Sequence, residues 1–367
     1  MAGLQAVQAV NTCFKRIRRL NIQKGMIRIM SVINVGLIGC GAFARGMHIP
    51  NLGKNPKFRI HAVMDIDEAS AKEVAEETGA SYWTTDTDKL LQDERVDLVV
   101  ITTRHDSHAD LSIRAAKAGK HILCEKPMGM DAAECKSVAE AVRDSGVKYT
   151  VGYNRGLAPL VSKARELLSD MPDKKMIYHR LQAPFPEDLW IHDPKAGGGR
   201  FVGEGCHIFD LFCELVQAPP VMVYAAGGVF LNPEKVRMAD SGIITISFAD
   251  GSVASTLIAS AGCAAFPKEA TEVYCGGRAI YIADFKEMEY YGFEGHSQIR
   301  LTLDSVDKGQ AREIDLLADA VINDTPSPNG IIKAARAAVL SYKVYESLAK
   351  GLPVPVAEKE YVFIREM

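Results

Sequence analysis

The chain lacks the features that mark membrane-spanning proteins and general nucleic-acid binders. Its 367 residues contain no apolar run of about 18 residues, so no transmembrane helix is expected. The net charge is −3, and this balance predicts no broad affinity for nucleic acid or for a membrane surface. The hydrophobic fraction of 47% and the charged fraction of 24% are those of an ordinary globular protein, and the length predicts two domains.

The sequence also lacks the spacings of a disulfide framework or a metal site. Its eight cysteines form no C-x-x-C pair, and several lie within apolar runs. We therefore expect them to be small buried side chains in a reducing compartment, which predicts a cytoplasmic protein. No cluster of histidine, cysteine and aspartate has the spacing of metal ligands, so no metal is expected.

Acidic residues are absent from the first 30 positions, which carry six basic residues. Met26 and Met30 would each begin a sensible chain, and we interpret residues 1–30 as an extension before the fold. A basic segment without acids is also typical of a transit peptide, and that alternative stays open.

Between residues 31 and 152, β-rich apolar runs alternate with helical patterns. The predicted strands are 32–38, 58–65, 81–84, 96–102, 121–124 and 147–151. The predicted helices are 44–54, 68–78, 86–92, 107–118 and 131–144. This alternation predicts an α/β fold with a doubly wound parallel sheet and helices on both faces.

From residue 153 to residue 367 the pattern changes to long alternating strands. Strands are predicted at 174–183, 221–230, 242–249, 252–260, 270–275, 278–284, 288–293 and 297–304, and helices at 158–168, 203–216, 308–323 and 329–349. Asp250-Gly251 and Gly276-Gly277 lie between strands as two-residue hairpin turns. Consecutive hairpins predict an α+β region with an open, mostly antiparallel sheet and helices on one face.

A glycine-rich turn follows the first predicted strand. Gly39 and Gly41 permit a tight turn and close approach of a pyrophosphate, and Ala44 permits close packing of the next helix. Asp65 comes 21 residues after Ala44, at the end of the second strand. A carboxylate there accepts hydrogen bonds from the ribose hydroxyls of NAD and repels the 2′-phosphate of NADP. The pattern therefore predicts NAD as the cofactor.

Glu125-Lys126-Pro127 follows the fifth predicted strand, and Glu125 lies 84 residues after Gly41. A lysine at the carboxyl end of that strand would reach the nicotinamide region of the cofactor. Hydride transfer from an alcohol requires a base for the hydroxyl proton and a cation that stabilises the alkoxide, and Lys126 suits both tasks. A cis bond before Pro127 is compatible with this turn.

With these motifs, residues 32–356 resemble the Gfo/Idh/MocA family of sugar and cyclitol dehydrogenases. The resemblance implies a Rossmann domain at 31–152, followed by a substrate-binding and oligomerisation domain at 153–367 that forms homo-dimers or homo-tetramers. It also implies a set of cofactor-binding residues: Gly39, Gly41, Phe43, Ala44, Asp65, Thr102, Thr103, His105, His108, Glu125, Lys126 and Asn154. Arg104 and His105 depart from the Pro-Asn of the family pattern.

The family pattern also has an aspartate after a glycine run and a histidine four positions later. His207 matches the histidine, but Gly203 stands at the aspartate position and the acid is Glu204. The resemblance implies that His207 acts as an acid, a base or a hydrogen-bond donor to the substrate. We expect Glu204 to lie on the same helical face, where it would act on KM, or on the pH profile if its carboxylate raises the pKa of His207.

Further candidates for substrate binding lie in the expected crevice between the domains. Arg155 follows the last strand of the first domain, and Trp190, His192 and Asp193 precede the glycine run. We expect Trp190 to stack on a sugar ring and the polar side chains to bind its hydroxyls.

Together these residues predict NAD-dependent oxidation of a ring hydroxyl of a sugar, a sugar derivative or a cyclitol. An alternative is a redox-neutral glycoside-cleaving enzyme that keeps NAD bound and passes through a transient 3-keto sugar. Accumulation of NADH distinguishes these two hypotheses. A third, a nucleotide sensor without catalysis, is disfavoured by the presence of both Lys126 and His207.

Overall fold

Six parallel strands form the first sheet of the protein, whose computed structural model describes residues 32–293, 295 and 297–363. The strands are β1 (Ile33–Ile38), β2 (Phe58–Met64), β3 (Tyr82–Thr84), β4 (Leu98–Ile101), β5 (His121–Cys124) and β6 (Tyr149–Val151). Their order, β3-β2-β1-β4-β5-β6, is that of a Rossmann sheet and confirms the predicted parallel fold. The extension at 1–30 lies outside the described residues.

Helices connect these strands and end where the sequence indicates. They are α1 (Ile49–Lys54), α2 (Glu68–Thr78), α3 (Thr87–Gln92), α4 (His108–Lys117) and α5 (Ala132–Ser145). In α5, the Asp131 side chain accepts a hydrogen bond from the backbone N–H of Glu134, and Gly146 ends the helix at φ +69°. The helix predicted at 44–54 differs, because its first five residues, Ala44–His48, form a π-helical turn, here called the first π-turn.

A nine-stranded sheet forms the second region. Its strands are β7 (Lys175–Gln182), β8 (Pro220–Gly228), β9 (Ser241–Phe248), β10 (Val253–Ala259), β11 (Glu269–Cys275), β12 (Arg278–Ala283), β13 (Glu287–Tyr291), β14 (Ile299–Thr302) and β15 (Val354–Pro355). The expectation of consecutive hairpins is wrong at one point. Strand β7 lies between β10 and β11 and pairs in parallel with β10, so the sheet is mostly but not wholly antiparallel.

Helices cover one face of this second sheet, as predicted. They are α6 (Pro159–Leu168), α7 (Cys206–Val216) and α9 (Ile331–Lys350), whereas α8 (Gln310–Asn323) packs on residues 154–157 and on α1. All residues of α7 are buried, and the five residues before it, Phe201–Gly205, form a second π-helical turn, here called the second π-turn. Helix α9 packs on both β8 and α5, so it joins the two sheets into one core.

The opposite face of the second sheet exposes large apolar side chains from neighbouring strands. Met176 and Tyr178 of β7 lie directly across from Tyr274 and Glu272 of β11, and Ile243 of β9 is 55% exposed. Alternate residues of a strand point to opposite faces, so these side chains form one continuous surface.

Candidate active site

The glycine turn after β1 is fixed on one side and open on the other. Gly39 has φ +99°, and a Cβ there would lie 2.9 Å from the backbone carbonyl of Thr102, so only glycine fits. The Thr102 hydroxyl donates to the Gly39 carbonyl at 2.7 Å, which fastens the end of β4 to the turn. A Cβ on Gly41 would meet no atom within 4 Å, so the turn has free space where a ligand could approach.

Asp65 borders the same turn from the end of β2. Its Oδ2 accepts a hydrogen bond from the Cys40 backbone N–H at 2.6 Å, and its Oδ1 accepts one from the Asp67 N–H at 2.9 Å. Phe43 is 45% exposed, and its ring meets that of His48 edge-on at 5.5 Å. The carboxylate therefore lies beside the turn, as recognition of a ribose requires.

His108 supports the tripeptide Glu125-Lys126-Pro127, whose Lys126–Pro127 bond is cis. Its ring nitrogens lie 2.8 Å from the Pro127 carbonyl oxygen and 3.1 Å from that of Thr103. Burial lowers the pKa of His108 and keeps the ring neutral. His108 thus joins the segments that follow β4 and β5, whereas its contact with the cofactor stays a prediction.

A buried pair links the first π-turn to this tripeptide. His48 Nε2 lies 2.7 Å from Glu125 Oε1, and both side chains are buried. Burial opposes ionisation of Glu125, but the hydrogen bond to His48 and the charge of Lys126 outweigh it and lower the pKa of the carboxyl. Nothing in the sequence pattern indicated this pair; its one signal was a histidine a short distance after the glycine turn.

The second π-turn meets the same tripeptide at its next residue. Lys126 Nζ donates a hydrogen bond to the Gly203 carbonyl oxygen at 2.9 Å. Gly203 lies four positions before His207, the second residue of α7. The lysine after β5 therefore meets the start of the helix that carries the candidate histidine.

His207 is buried in a neutral form beside this contact. Its ring meets that of Tyr153 edge-on at 6.0 Å. Burial, together with the charges of Arg155 and Lys126, holds the pKa of His207 well below its usual range. At neutral pH the imidazole is therefore uncharged, and one ring nitrogen can donate a hydrogen bond while the other can accept one.

An effect of Glu204 on the pKa of His207 stays a prediction. The Glu204 carboxylate turns to three cations, Arg200 at 3.1 Å, Arg155 at 3.3 Å and Lys268 at 3.5 Å. Burial opposes its ionisation, but these charges lower the pKa of Glu204 to about 2. The π-helical geometry of this segment changes the phase of the helix, which the α-helical spacing could not predict.

Arg155 and Asn154 are both held by the second region. Arg155 donates to Glu269 through Nε at 2.8 Å and through Nη2 at 3.1 Å, and Lys308 pairs with the same carboxylate. Asn154 donates its side-chain amide to the Lys308 carbonyl oxygen at 2.8 Å. Their roles in binding substrate and cofactor stay predictions. Glu269 escaped the sequence analysis because it lies far along the chain.

The segment Arg104-His105 and Gly203, which both depart from the family pattern, lie close together in the structure. The His105 ring lies 4.6 Å from that of Trp190, and its Nδ1 lies 2.8 Å from the Gly197 carbonyl oxygen. The Arg104 guanidinium lies 5.5 Å from the centre of the Trp190 ring. A Cβ on Gly203 would lie 3.1 Å from His105 Cε1. His105 therefore occupies space next to the position where the family pattern has a side chain.

Two predicted substrate ligands make contacts within their own loop. His192 Nε2 lies 3.1 Å from the Pro186 carbonyl oxygen, and its ring meets Phe185. Asp193 Oδ1 accepts hydrogen bonds from the N–H groups of Lys195 and Ala196, each at 2.8 Å. These contacts shape the loop, and binding of substrate by either residue stays a prediction.

The described residues contain neither a grouped set of metal ligands nor a membrane-spanning helix. Over 32–293, 295 and 297–363, no three His, Cys, Asp or Glu side chains are grouped to hold a metal ion. In the same part of the chain, no helix combines the length and apolar character needed to cross a membrane.

Comparison with known families decides the classification. Residues 33–153 match the model described as "Oxidoreductase family, NAD-binding Rossmann fold", and residues 174–280 match the GFO/IDH/MocA C-terminal domain. The chain belongs to the Gfo/Idh/MocA family. This membership confirms the Rossmann fold and NAD as the cofactor.

Several Gfo/Idh/MocA relatives are inositol dehydrogenases. Inositol 2-dehydrogenase of Rhizobium meliloti (strain 1021) is 32% identical over 200 residues, which are 54% of this chain and 60% of that protein. Myo-inositol 2-dehydrogenase of Thermotoga maritima is 27% identical over 227 residues, which are 60% of this chain and 66% of that protein. These alignments thus span three fifths to two thirds of the curated relatives.

A solved structure matches over a longer span. The crystal structure of a putative myo-inositol dehydrogenase from Sinorhizobium meliloti 1021 has a TM-score of 0.76 and 25% sequence identity. The match covers 89% of this chain and 100% of that chain. Both sheets of the fold are therefore shared with this Gfo/Idh/MocA protein.

Proposed function

We propose that this protein is an NAD-dependent dehydrogenase that oxidises a ring hydroxyl of a sugar, a sugar derivative or a cyclitol. The observation that carries the proposal is the 2.9 Å contact between Lys126 Nζ and the Gly203 carbonyl oxygen. This contact places the side chain of Lys126, which follows β5, beside the start of α7, the helix that carries the neutral His207. The names of the inositol dehydrogenases among its relatives support this substrate class.

The glycine turn supplies the proposed NAD site. The free space at Gly41 and the Asp65 carboxylate at the turn fit a pyrophosphate and a ribose with free hydroxyls. When bound, NAD supplies the hydride acceptor. Other residues proposed to line this site are Gly39, Phe43, Ala44, Thr102, Thr103, His105, His108, Glu125 and Asn154.

Lys126 is the proposed base. Lys126 is proposed to take the hydroxyl proton as the hydride leaves, and the positive charge that it then carries stabilises the negative charge that develops on the oxygen. The Gly203 carbonyl accepts a hydrogen bond from this amine and so orients it. The neutral imidazole of His207 is proposed to donate a hydrogen bond to the same substrate oxygen.

Trp190 is the proposed stacking residue for the sugar ring, since it is 36% exposed in the loop that precedes the glycine run. We keep Arg155, His192, Asp193 and Glu204 as proposed members of the substrate site. Their polar atoms already bind other residues of the protein, so we expect these side chains to shape the site more than to contact the substrate directly.

The exposed apolar face of the second sheet is the proposed interface of a homo-dimer or homo-tetramer. Met176 and Ile243 are 66% and 55% exposed, and burying such side chains against a second copy would stabilise association. Sedimentation of the wild-type protein and of an Ile243→Glu variant tests this interface; only the wild type should associate. The cytoplasmic location stays a prediction from the cysteines.

A screen of sugars and inositols with NAD tests the proposed activity. We expect NADH to accumulate with an equal amount of a ketone product. Cleavage of a glycoside without net NADH would favour the redox-neutral alternative, which the named dehydrogenase relatives do not support.

A further inference from the structure

A network of paired charges lies beside Lys126 and His207. Within it, Arg155 and Lys308 pair with Glu269, while Glu204 lies within 3.5 Å of three cations. We call these six side chains the charge network: Arg155, Arg200, Glu204, Lys268, Glu269 and Lys308. The charge network adjoins the candidate site, because Glu204 is the residue after Gly203, whose carbonyl oxygen accepts the hydrogen bond from Lys126 Nζ.

The charge network has four cations and only two carboxylates. Both carboxylates are ionised, since neighbouring cations lower the pKa of Glu204 to about 2 and hold that of Glu269 well below its usual range, against the effect of burial. Two histidines on which the charge of Glu269 acts, His179 and His207, do not add to the balance, because burial lowers the pKa of His179 to about 4 and holds that of His207 well below its usual range. The network therefore carries two surplus positive charges, and Lys126 lies next to it.

Burial makes this surplus costly. The side chains of Arg155 and Arg200 are 5% and 1% exposed, so solvent does little to stabilise their charge. Burial lowers the pKa of both Arg200 and Lys308, and the like charge of Arg155 contributes in each case. A buried group of cations in this state is stabilised by any anion that can reach it.

Lys268 is the place where an anion can reach the network. Its side chain is 43% exposed, against 22% for that of Lys308. It shares the two oxygens of Glu204 with Arg155 and Arg200, so Glu204 alone cannot neutralise all three.

We propose that the substrate is a sugar or cyclitol derivative with a negatively charged substituent, a carboxylate or a phosphate, which binds at the Lys268 end of the charge network. This inference rests on the proposed dehydrogenase function and narrows its substrate class. A neutral sugar would leave the surplus charge uncompensated, so it is the poorer substrate.

The test compares matched neutral and anionic probes: glucose, glucuronate and glucose 6-phosphate, and galactose with galacturonate. Their kcat/KM values with NAD are measured at low and high salt, and their binding to the protein saturated with NADH is measured by calorimetry. We expect the kcat/KM of at least one anionic probe to exceed that of its neutral counterpart about tenfold or more, because a hydrogen bond to a charged group contributes about that much binding energy. Its binding should weaken at high salt, which screens the attraction between the charges. The uronate and phosphate arms distinguish the two kinds of anion.

Two lysine variants make the result specific. Lys268→Met should lower the preference for the anionic probe about tenfold. Lys136→Met is the control, because Lys136 lies on α5 with a 58% exposed side chain, and it should leave the preference unchanged. A preference that survives Lys268→Met would overturn the proposed binding site.

The remaining outcomes separate this inference from the proposed function. Efficient oxidation of neutral sugars, with anionic ones poorer, would overturn the inference and leave the dehydrogenase function in place. If no probe is oxidised, the screen of sugars and inositols decides the proposed function, and binding of the probes decides the inference. Salt-sensitive binding of an anionic probe that is lost in Lys268→Met would support it, and equal or absent binding of all probes would overturn it.

Discussion

The two π-turns contact successive residues of one tripeptide in different ways. The first π-turn ends in His48, whose side chain binds the Glu125 carboxylate. In the second π-turn, the main-chain carbonyl oxygen of Gly203 accepts a hydrogen bond from Lys126 Nζ. Each turn has glycine at its third position, Gly46 in the first and Gly203 in the second.

The contacts of the two π-turns differ in the substitutions that would remove them. The contact of the first π-turn depends on two side chains, so it is lost when either is shortened. The second depends on one side chain, that of Lys126, and on the backbone path at Gly203, so a substitution within the turn affects it only by displacing the turn. The surroundings differ as well, because a Cβ on Gly46 would meet no atom within 4 Å, whereas one on Gly203 would meet His105 and Ile191.

Replacing Lys126, the residue that the second π-turn contacts, should have the largest effect. Lys126→Met removes the base and the cation near the alkoxide, so kcat should fall roughly 10²–10⁴-fold or more. Binding of NAD, measured by titration, should persist because the glycine turn is unchanged. A variant with nearly normal kcat would remove Lys126 from the mechanism; Lys136→Met is the matched surface control.

Breaking the contact of the first π-turn should chiefly reduce stability. His48→Ala leaves the buried Glu125 carboxyl without its side-chain partner, which should lower the free energy of unfolding by about 3 kcal/mol. Urea denaturation measures this change. The double variant His48→Ala/Glu125→Gln removes the charge and should recover part of the loss; equal stability of wild type and His48→Ala would show that the pair contributes nothing.

Removing the imidazole near the second π-turn should affect the chemical step. His207→Ala deletes the proposed donor to the reacting oxygen, so kcat should fall about 10²-fold. His207→Gln retains a donor and should recover part of the activity. Steady-state kinetics check both variants, and unchanged kcat and KM in His207→Ala would reduce His207 to a packing residue.

Asp65 tests the cofactor side of the site. Asp65→Ser removes the acceptor for the ribose hydroxyls and the repulsion of a 2′-phosphate, so affinity for NAD should fall about tenfold and NADP should bind relatively better. Titrations of both dinucleotides measure the change. Tighter binding of NADP than of NAD by the wild type would contradict the assignment of Asp65.

The smallest expected effect compares the two glycines of the π-turns. Gly203→Ala places a methyl group 3.1 Å from His105 and should lower kcat/KM several-fold by displacing the turn. Gly46→Ala is the matched control, since nothing lies within 4 Å of its added Cβ. If both variants behave alike in steady-state kinetics, the tight fit at Gly203 has no catalytic importance.

Local patterns predicted the first sheet and its turn well. The strand and helix alternation, the glycine turn, Asp65 and the Glu-Lys-Pro segment each depend on short stretches of sequence. The π-turns were not predictable, because their spacing departs from the α-helical period that the pattern assumes. The insertion of β7 between β10 and β11 and the pairing of Arg155 with Glu269 depend on residues far apart in the chain.

The transfer of hydrogen from substrate to cofactor tests the central claim most directly. A sugar or inositol found active in the screen is prepared with deuterium on the carbon that is oxidised, and the NADH formed is analysed by mass spectrometry. Direct hydride transfer predicts that the NADH carries the deuterium and that Lys126→Met forms almost none. Return of the deuterium to the product without net NADH, or its loss to solvent, would contradict the account.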